Sequence, residues 1–288
     1  MAAPNATHRI ERALGDWMRA RLPFALAEFI MFGLKQGWSA LFGGLLLVGM
    51  IITSKIWQPE WPIARYDALL LYAIALQAGF LALGLETWRE VRVIPLFHLT
   101  GTIMEIFKIH AGFWAYPGPG IFKIMGVPLF SGFMYASVGS YMARVIRVFD
   151  MRFAPHPPFW VTLLLASAIY LNFFSHHFIP DIRLALFAAT VVIYIRTRIW
   201  FRIGARAYWM PLPVAAFFSA FFLWIAENIG TATKTWLYTG QTAGHMVSFA
   251  KMGSWYLLLY VSFVTVTLVT SDALGPSDQL KHSQGDNK

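Results

Sequence analysis

Apolar runs close to twenty residues long recur along this 288-residue chain. A bilayer's hydrocarbon core is about 30 Å thick, so a helix needs about 20 apolar residues to cross it. Inside that layer every backbone amide must find its partner within the chain, a condition that a helix meets on its own. The pattern therefore predicts an all-α fold, a polytopic transmembrane helix bundle of about eight spans. They fall at 36–56, 67–87, 95–115, 125–145, 158–179, 182–200, 208–229 and 249–270. Only 13% of the residues are charged, against about 25% in a soluble domain. Cysteine is absent, which excludes a disulfide framework, a thiolate metal site and a cysteine nucleophile. The formal charge of +9 does not point to nucleic acid, because the basic residues gather at the ends of apolar runs rather than interleaving with aromatics. The expected partners are membrane lipids and a hydrophobic small-molecule substrate.

The flanks differ from the middle. Residues 1–22 contain NATHRIERALGDWMRAR, an arginine-rich amphipathic segment expected to lie at the cytoplasmic interface. It lacks the apolar core and cleavage site of a signal peptide. Residues 23–271 form one transmembrane domain, and 272–288 a polar tail expected to be disordered. The stretch 23–35 is either an extension of the first span or a half-helix entering the membrane, being too short to cross alone. Against these spans fifteen Lys/Arg fall on one side and five on the other. The richer side is then cytoplasmic and holds both termini.

Ionisable residues inside the runs carry the functional question. Each costs about 2.5–3.5 kcal/mol at the centre of a membrane helix. In GTIMEIFKIHAGFWAYPGPG, Glu105, Lys108 and His110 lie within six positions. His98, Gly101, Glu105, Lys108 and Gly112 share one helical face. On the expected topology, His176, His177 and Asp181 in NFFSHHFIPD, Glu227 and Asn228 in LWIAENIGT, and His245 and Lys251 all approach the same outer half of the membrane. The candidate catalytic residues are Glu105, Lys108, Glu227, His176 and His177. The candidate binding residues are His110, Trp114, Tyr116, Asn172, Asn228 and Asp181. A purely structural reading stands beside this one: Glu105 and Lys108, at i and i+3, neutralise each other as a buried pair. Adjacent histidines point about 100° apart on a helix, and a zinc site wants three or four ligands, which leaves metal and cofactor unknown. Most of the aromatics near the span ends, Trp114, Tyr116, Trp224, Trp236, Tyr238 and Trp255, read as an interfacial belt, with a subset free to line a pocket. No phosphate loop, serine elbow or HExxH motif is present.

The string GTIMEIFKIHAGFWAYPGPGIFKIMGVPLFSGFMYASVGSYMARVIRVF, with NFFSHHFIPDIR and AENIGT, resembles the YoaT-like family of uncharacterised bacterial integral membrane proteins (domain of unknown function 817). That resemblance implies the bacterial inner membrane and brings no activity. A shorter likeness, through Glu105, Gly112, Trp114, Tyr116, Gly126, Val127 and Pro128, is to carotenoid hydratase-like membrane proteins. It implies acid–base chemistry on an isoprenoid, with Glu105 or Glu227 as proton donor and Trp114 and Tyr116 as the aromatic wall. An ammonium at Lys108 favours an ionised Glu105, which makes Glu227 the better donor. Two function classes follow: an intramembrane enzyme or binder for a lipidic substrate, and a proton-coupled carrier using the same residues. A carrier usually shows two related halves, and no repeat is evident. A retinal-type chromophore on Lys108 or Lys251 is a distant third reading.

Overall fold

The computed structural model describes residues 6–176, 178–204, 206–240 and 246–275, with side chains from residue 13 onward. It is largely helical. In chain order come α1 (Ala6–Arg21), α2 (Phe24–Ser39), α3 (Leu41–Ile56), α4 (Arg65–Ala82), the short α5 (Trp88–Val91) and α6 (Val93–His110). Three two-residue strands follow, β1 (Trp114–Ala115), β2 (Lys123–Ile124) and β3 (Val127–Pro128), then α7 (Phe130–Val148), β4 (Arg152–Ala154), α8 (Phe159–Ser175) and α9 (Arg183–Tyr194). The chain closes with β5 (Arg198–Arg202), β6 (Ala207–Pro211), α10 (Leu212–Ala232), β7 (Leu237–Tyr238) and α11 (Ala250–Val269).

Two helices, α10 and α11, are each long and apolar enough to cross a membrane, and the α2–α3 pair, bent by 66°, makes a third if it acts as one span. The bend falls at Ala40, so the ambiguous stretch at 23–35 belongs to a helix of its own. Other expected spans fall short for identifiable reasons. Glu105 and Lys108 interrupt α6, Arg144 and Arg147 interrupt α7, and α8 and α9 have only 17 and 12 residues. The run at 182–200 departs most from expectation. Its helix stops at Tyr194, and RIWFR enters an antiparallel sheet in the order β4-β5-β6. Trp200 pairs there with Arg152 on one side and Trp209 on the other. The all-α expectation is corrected to that extent. Aromatic and branched residues between arginines suit a pleated ribbon as well as a helix, and the turn at Gly204, with φ of 78°, closes the hairpin.

The bundle therefore has two unlike ends. At the sheet end α7 leads into β4, α9 into β5, and β6 into α10. The end of α11 returns there too. Asp272 takes a hydrogen bond from Arg89 at 2.6 Å, Ala273 is buried, and Leu274 bridges to Phe153. Residues 272–275 are thus packed rather than disordered, and the rest of the expected tail, 276–288, lies outside the described residues. At the same end α1 is tied to α2 by Arg19 and Glu28, 3.0 Å apart.

The opposite end gathers the C-terminal halves of α6, α8 and α10 and the beginnings of α7, α9 and α11. The α6–α7 hairpin that reaches it is tightly packed. A Cβ on Gly101 would meet the Tyr135 ring at 2.6 Å, and one on Gly139 would meet Phe97 and Val93 at 2.7 Å. Close backbone approach through small residues is how helices associate where lipid removes the hydrophobic incentive. The main core continues from these helices through Ala136, Leu165, Ile169, Tyr260 and Phe263.

Candidate functional site

Two buried carboxylates organise the loop end. Glu105 sits one and a half turns before the end of α6. After Ala111, Gly112 adopts φ of 77°, a left-handed value that glycine takes without steric cost. The Phe113 amide bonds back to the Lys108 carbonyl at 3.0 Å. This reversal swings Trp114 under the helix, where its indole donates to Glu105 Oε2 at 2.6 Å. The Tyr135 hydroxyl of α7 donates to Oε1 at 2.6 Å, and the buried Tyr116 phenol lies near the same carboxylate. Glu227 near the end of α10 has a matching set, with the Tyr238 hydroxyl on Oε1 and the Trp255 indole on Oε2. Each carboxylate is thus held by an indole and a phenol.

The two sets are joined. β1 pairs with β7 so that Trp114 faces Tyr238, and their rings meet edge to face at 5.7 Å. The Thr239 amide extends the pairing to the Phe113 carbonyl at 3.0 Å. Burial, and next the Glu105 charge, push the Tyr116 phenol well above its ordinary value. Burial and Glu227 do the same to Tyr238. Both phenols therefore keep their protons and remain donors. A hydrogen bond to a charged group contributes about 1.5–3 kcal/mol, so the two on each carboxylate offset much of the cost of burying it. The helix α4 anchors the loops. Arg65 donates to the Thr233 carbonyl at 3.0 Å, Tyr66 to the Thr235 carbonyl at 2.7 Å, and Asp67 accepts from the Ile121 and Phe122 amides.

Above this aromatic floor lies a cavity of about 450 Å³. Trp114 and Tyr238 line it, together with Phe113, Phe173, His176, Lys108, Arg183 and Lys251. Lys108 lies over the Phe173 ring at 4.2 Å and the Phe113 ring at 4.8 Å, and Lys251 over Tyr238 at 3.9 Å. Glu105 and Glu227 stand behind the floor and are not among the described lining residues.

Most of the predicted residues meet here in altered roles. Glu105 draws its hydrogen bonds from Trp114 and Tyr135 rather than from Lys108, so the i, i+3 ion pair that the spacing suggested is not what neutralises it. Trp114 and Tyr116 are buried donors rather than belt residues. Asn172 donates to Asp181 at 3.1 Å and accepts from the Ile182 amide, and so fixes the α8–α9 turn. Asn228 accepts from the Val247 amide at 2.8 Å and secures the approach to α11. His176 lines the cavity, and its Nδ1 bonds the Asn172 carbonyl at 2.8 Å. His110 is exposed and bonds back to the Ile106 carbonyl, away from the cavity. His177 and His245 lie outside the described residues. Among the described residues no three His, Asp or Glu side chains come together as a metal site. The sequence does not mark Tyr135, Tyr238 and Arg183 as site residues; the two phenols lie 30 and 11 positions from the glutamates they bond.

These features define a helical protein with membrane-spanning candidates and a cation-lined cavity backed by two hydrogen-bonded carboxylates. The chain belongs to the family described as protein of unknown function (DUF817), whose model matches residues 28–263. It is 42% identical over 243 residues, 84% of this chain and 91% of the relative, to uncharacterized protein YoaT of Bacillus subtilis (strain 168). No solved structure matches it. The short likeness to carotenoid hydratase-like proteins finds no support in these matches.

The geometry makes Trp114 the energetic partner of Glu105. In a double-mutant cycle read by denaturant unfolding of the purified protein, Glu105→Gln and Trp114→Phe should couple by about 1–2 kcal/mol. Glu105→Gln and Lys108→Met should couple less. A larger coupling to Lys108 would restore the ion-pair reading.

Proposed function

We propose that this is a multi-pass membrane protein that binds a lipidic small molecule in the cavity at the loop end, as a binder or as an enzyme. The observation that supports it most is the cavity itself. Its volume, about 450 Å³, falls within the range of about 300–1,000 Å³ usual for ligand pockets. Rings supply its apolar walls, and a few convergent polar groups supply orientation. If the protein is an enzyme, Tyr238 is the group that touches the substrate, since it lines the cavity and bonds Glu227 on its far side. Glu105 acts one layer further back, through Trp114. This replaces direct attack by a carboxylate with a carboxylate-backed phenol as the proton-handling group.

The membrane arrangement belongs to the same proposal. Eight crossings, counting α2–α3 as one, place the sheet on the cytoplasmic side with both termini, in the bacterial inner membrane. The sheet supports this because it holds Arg152, Arg198 and Arg202 together, the side to which the positive-inside rule assigns the cytoplasm. The N-terminal α1 then lies along that interface. Reporter fusions after Arg152 and after Arg206 should both read cytoplasmic. Opposite readings would mean that α8 and α9 do not form a crossing pair.

A carrier is the second reading, favoured by buried charge at the other end of α7. Arg144 is fully buried beside Phe80, its guanidinium 4.8 Å from that ring. Buried Glu86 accepts from Ser140 and, at 2.6 Å, from Gln77. Buried Glu90 accepts from Arg147 at 2.6 Å. Ionisable groups thus occur at both ends of one helix, as a conducted proton would require. Mass spectrometry of the detergent-purified protein separates the readings. The binder reading expects a discrete lipid enriched at least several-fold over bulk membrane in the wild type and lost in Phe173→Ala. Bulk composition in both samples would count against it.

A further inference from the structure

The cavity is cationic on its own surface. Lys108 comes from α6, Arg183 from the start of α9 and Lys251 from the start of α11, three separate segments converging on one volume. His176 joins them from the end of α8. Lys108 feels both Lys251 and Arg183 electrostatically, so they are close enough to repel one another. None of the described residues that line the cavity is an acid. Glu105 and Glu227 lie behind Trp114 and Tyr238, with Glu227 acting on Lys251 from that side. Asp181 grips Arg183 at 3.3 Å but does not itself line the cavity.

Basic side chains from three separate segments lining one space make a site for an anion, even though Arg183 already has Asp181 and Lys251 already feels Glu227. Their positions look maintained rather than accidental. Lys108 rests on the faces of Phe173 and Phe113, and Lys251 on Tyr238. Attraction to a ring face holds an ammonium without cancelling its charge. The cavity thus combines aromatic walls with a fork-shaped guanidinium and two ammonium groups, the donor set that suits a tetrahedral oxyanion with several terminal oxygens. A carboxylate has one charge and two oxygens. A phosphate monoester carries about −1.5 to −2 near pH 7 and offers three acceptor oxygens.

We propose that the lipidic ligand of this cavity carries a phosphate monoester head, bound by Lys108, Arg183 and Lys251, with its apolar chain along Phe113, Phe173 and Trp114. The inference rests on the lipid-binding reading above and names the chemical class of ligand within it. A cavity of about 450 Å³ is far roomier than inorganic phosphate requires, and the aromatic wall would be idle for phosphate alone. His176 lines the same cavity, its Nδ1 engaged by the Asn172 carbonyl.

The test uses the full chain in a maltoside detergent, which carries no phosphate, and three probes in calorimetric titrations: hexyl phosphate, hexanol and inorganic phosphate. Hexyl phosphate should bind at least about tenfold tighter than either of the others, a difference of about 1.4 kcal/mol. Lys251→Gln should weaken hexyl phosphate by about tenfold or more, as expected for loss of a charge-assisted bond, and leave hexanol unchanged. Arg183→Gln gives the same readout should Lys251→Gln fail to fold, and Lys251→Arg should keep most of the affinity. Equal affinity for hexanol and hexyl phosphate would overturn the phosphate head and leave the lipid-binding reading intact. Equal affinity for inorganic and hexyl phosphate would overturn the apolar chain and the lipid-binding reading with it. Binding of none of the three would overturn both.

Discussion

Two carboxylates buried inside a largely apolar bundle set the terms for everything around them. A charge in such a place is tolerated only if donors are held ready for it. Here the donors are indoles and phenols, Trp114 with Tyr135 on Glu105 and Tyr238 with Trp255 on Glu227. They come from four different stretches of chain, so satisfying the carboxylates fastens α6, α7, α10, α11 and two loops to one another. The β1–β7 pairing closes the loop between the two sets by placing Trp114 opposite Tyr238. The floor of the cavity is therefore a consequence of carboxylate burial. Lys108 and Lys251 are left to the cavity side, held on ring faces.

The rest of the fold serves to bring six helix ends to that floor. Connections at the far end are ribbon-like, with α7, α9 and α10 all joined to the β4-β5-β6 sheet. Connections at the near end carry the site residues, and those between α6 and α7 and between α10 and α11 are clamped by Arg65, Tyr66 and Asp67 of α4. One end is thus built for rigidity and positive charge, the other for a cavity.

Much of the helical framework was legible in the apolar runs, since α4, α6, α7, α8, α10 and α11 fall within or close to the predicted spans. The β ribbon was not, because Ile199, Trp200 and Phe201 between arginines look the same to a hydropathy pattern whether helical or extended. At the site, the sequence flagged Glu105 and Glu227 as costly groups in need of partners, but it could not say which. Tyr135 lies 30 residues from Glu105 and Trp255 lies 28 from Glu227, and a tryptophan near a span end ordinarily means an interfacial anchor. The i, i+3 spacing of Glu105 and Lys108 misleads for a related reason. Spacing of i, i+3 permits contact, but the turn at Gly112 delivers better donors to Glu105 from the far side. The charged cluster of Glu86, Glu90, Arg144 and Arg147 is hidden in the sequence because arginines at span ends read as orientation signals. Two acids in LETWRE between apolar runs were the available clue.

The central claim is that the two carboxylates are locked together through the β1–β7 pairing, and a cross-link reads it directly. The natural chain has no cysteine, so Ala115→Cys with Leu237→Cys introduces a single pair. Facing residues of an antiparallel pair lie about 4.5–5.5 Å apart at Cα, within the span of a disulfide. Mild oxidation of the protein in native membranes should convert most of it to the intramolecularly bridged form, seen as a mobility shift that reductant reverses. A chain that stays reduced under the same oxidation, while Ala115→Cys alone remains folded and reactive to a thiol probe, would contradict the account.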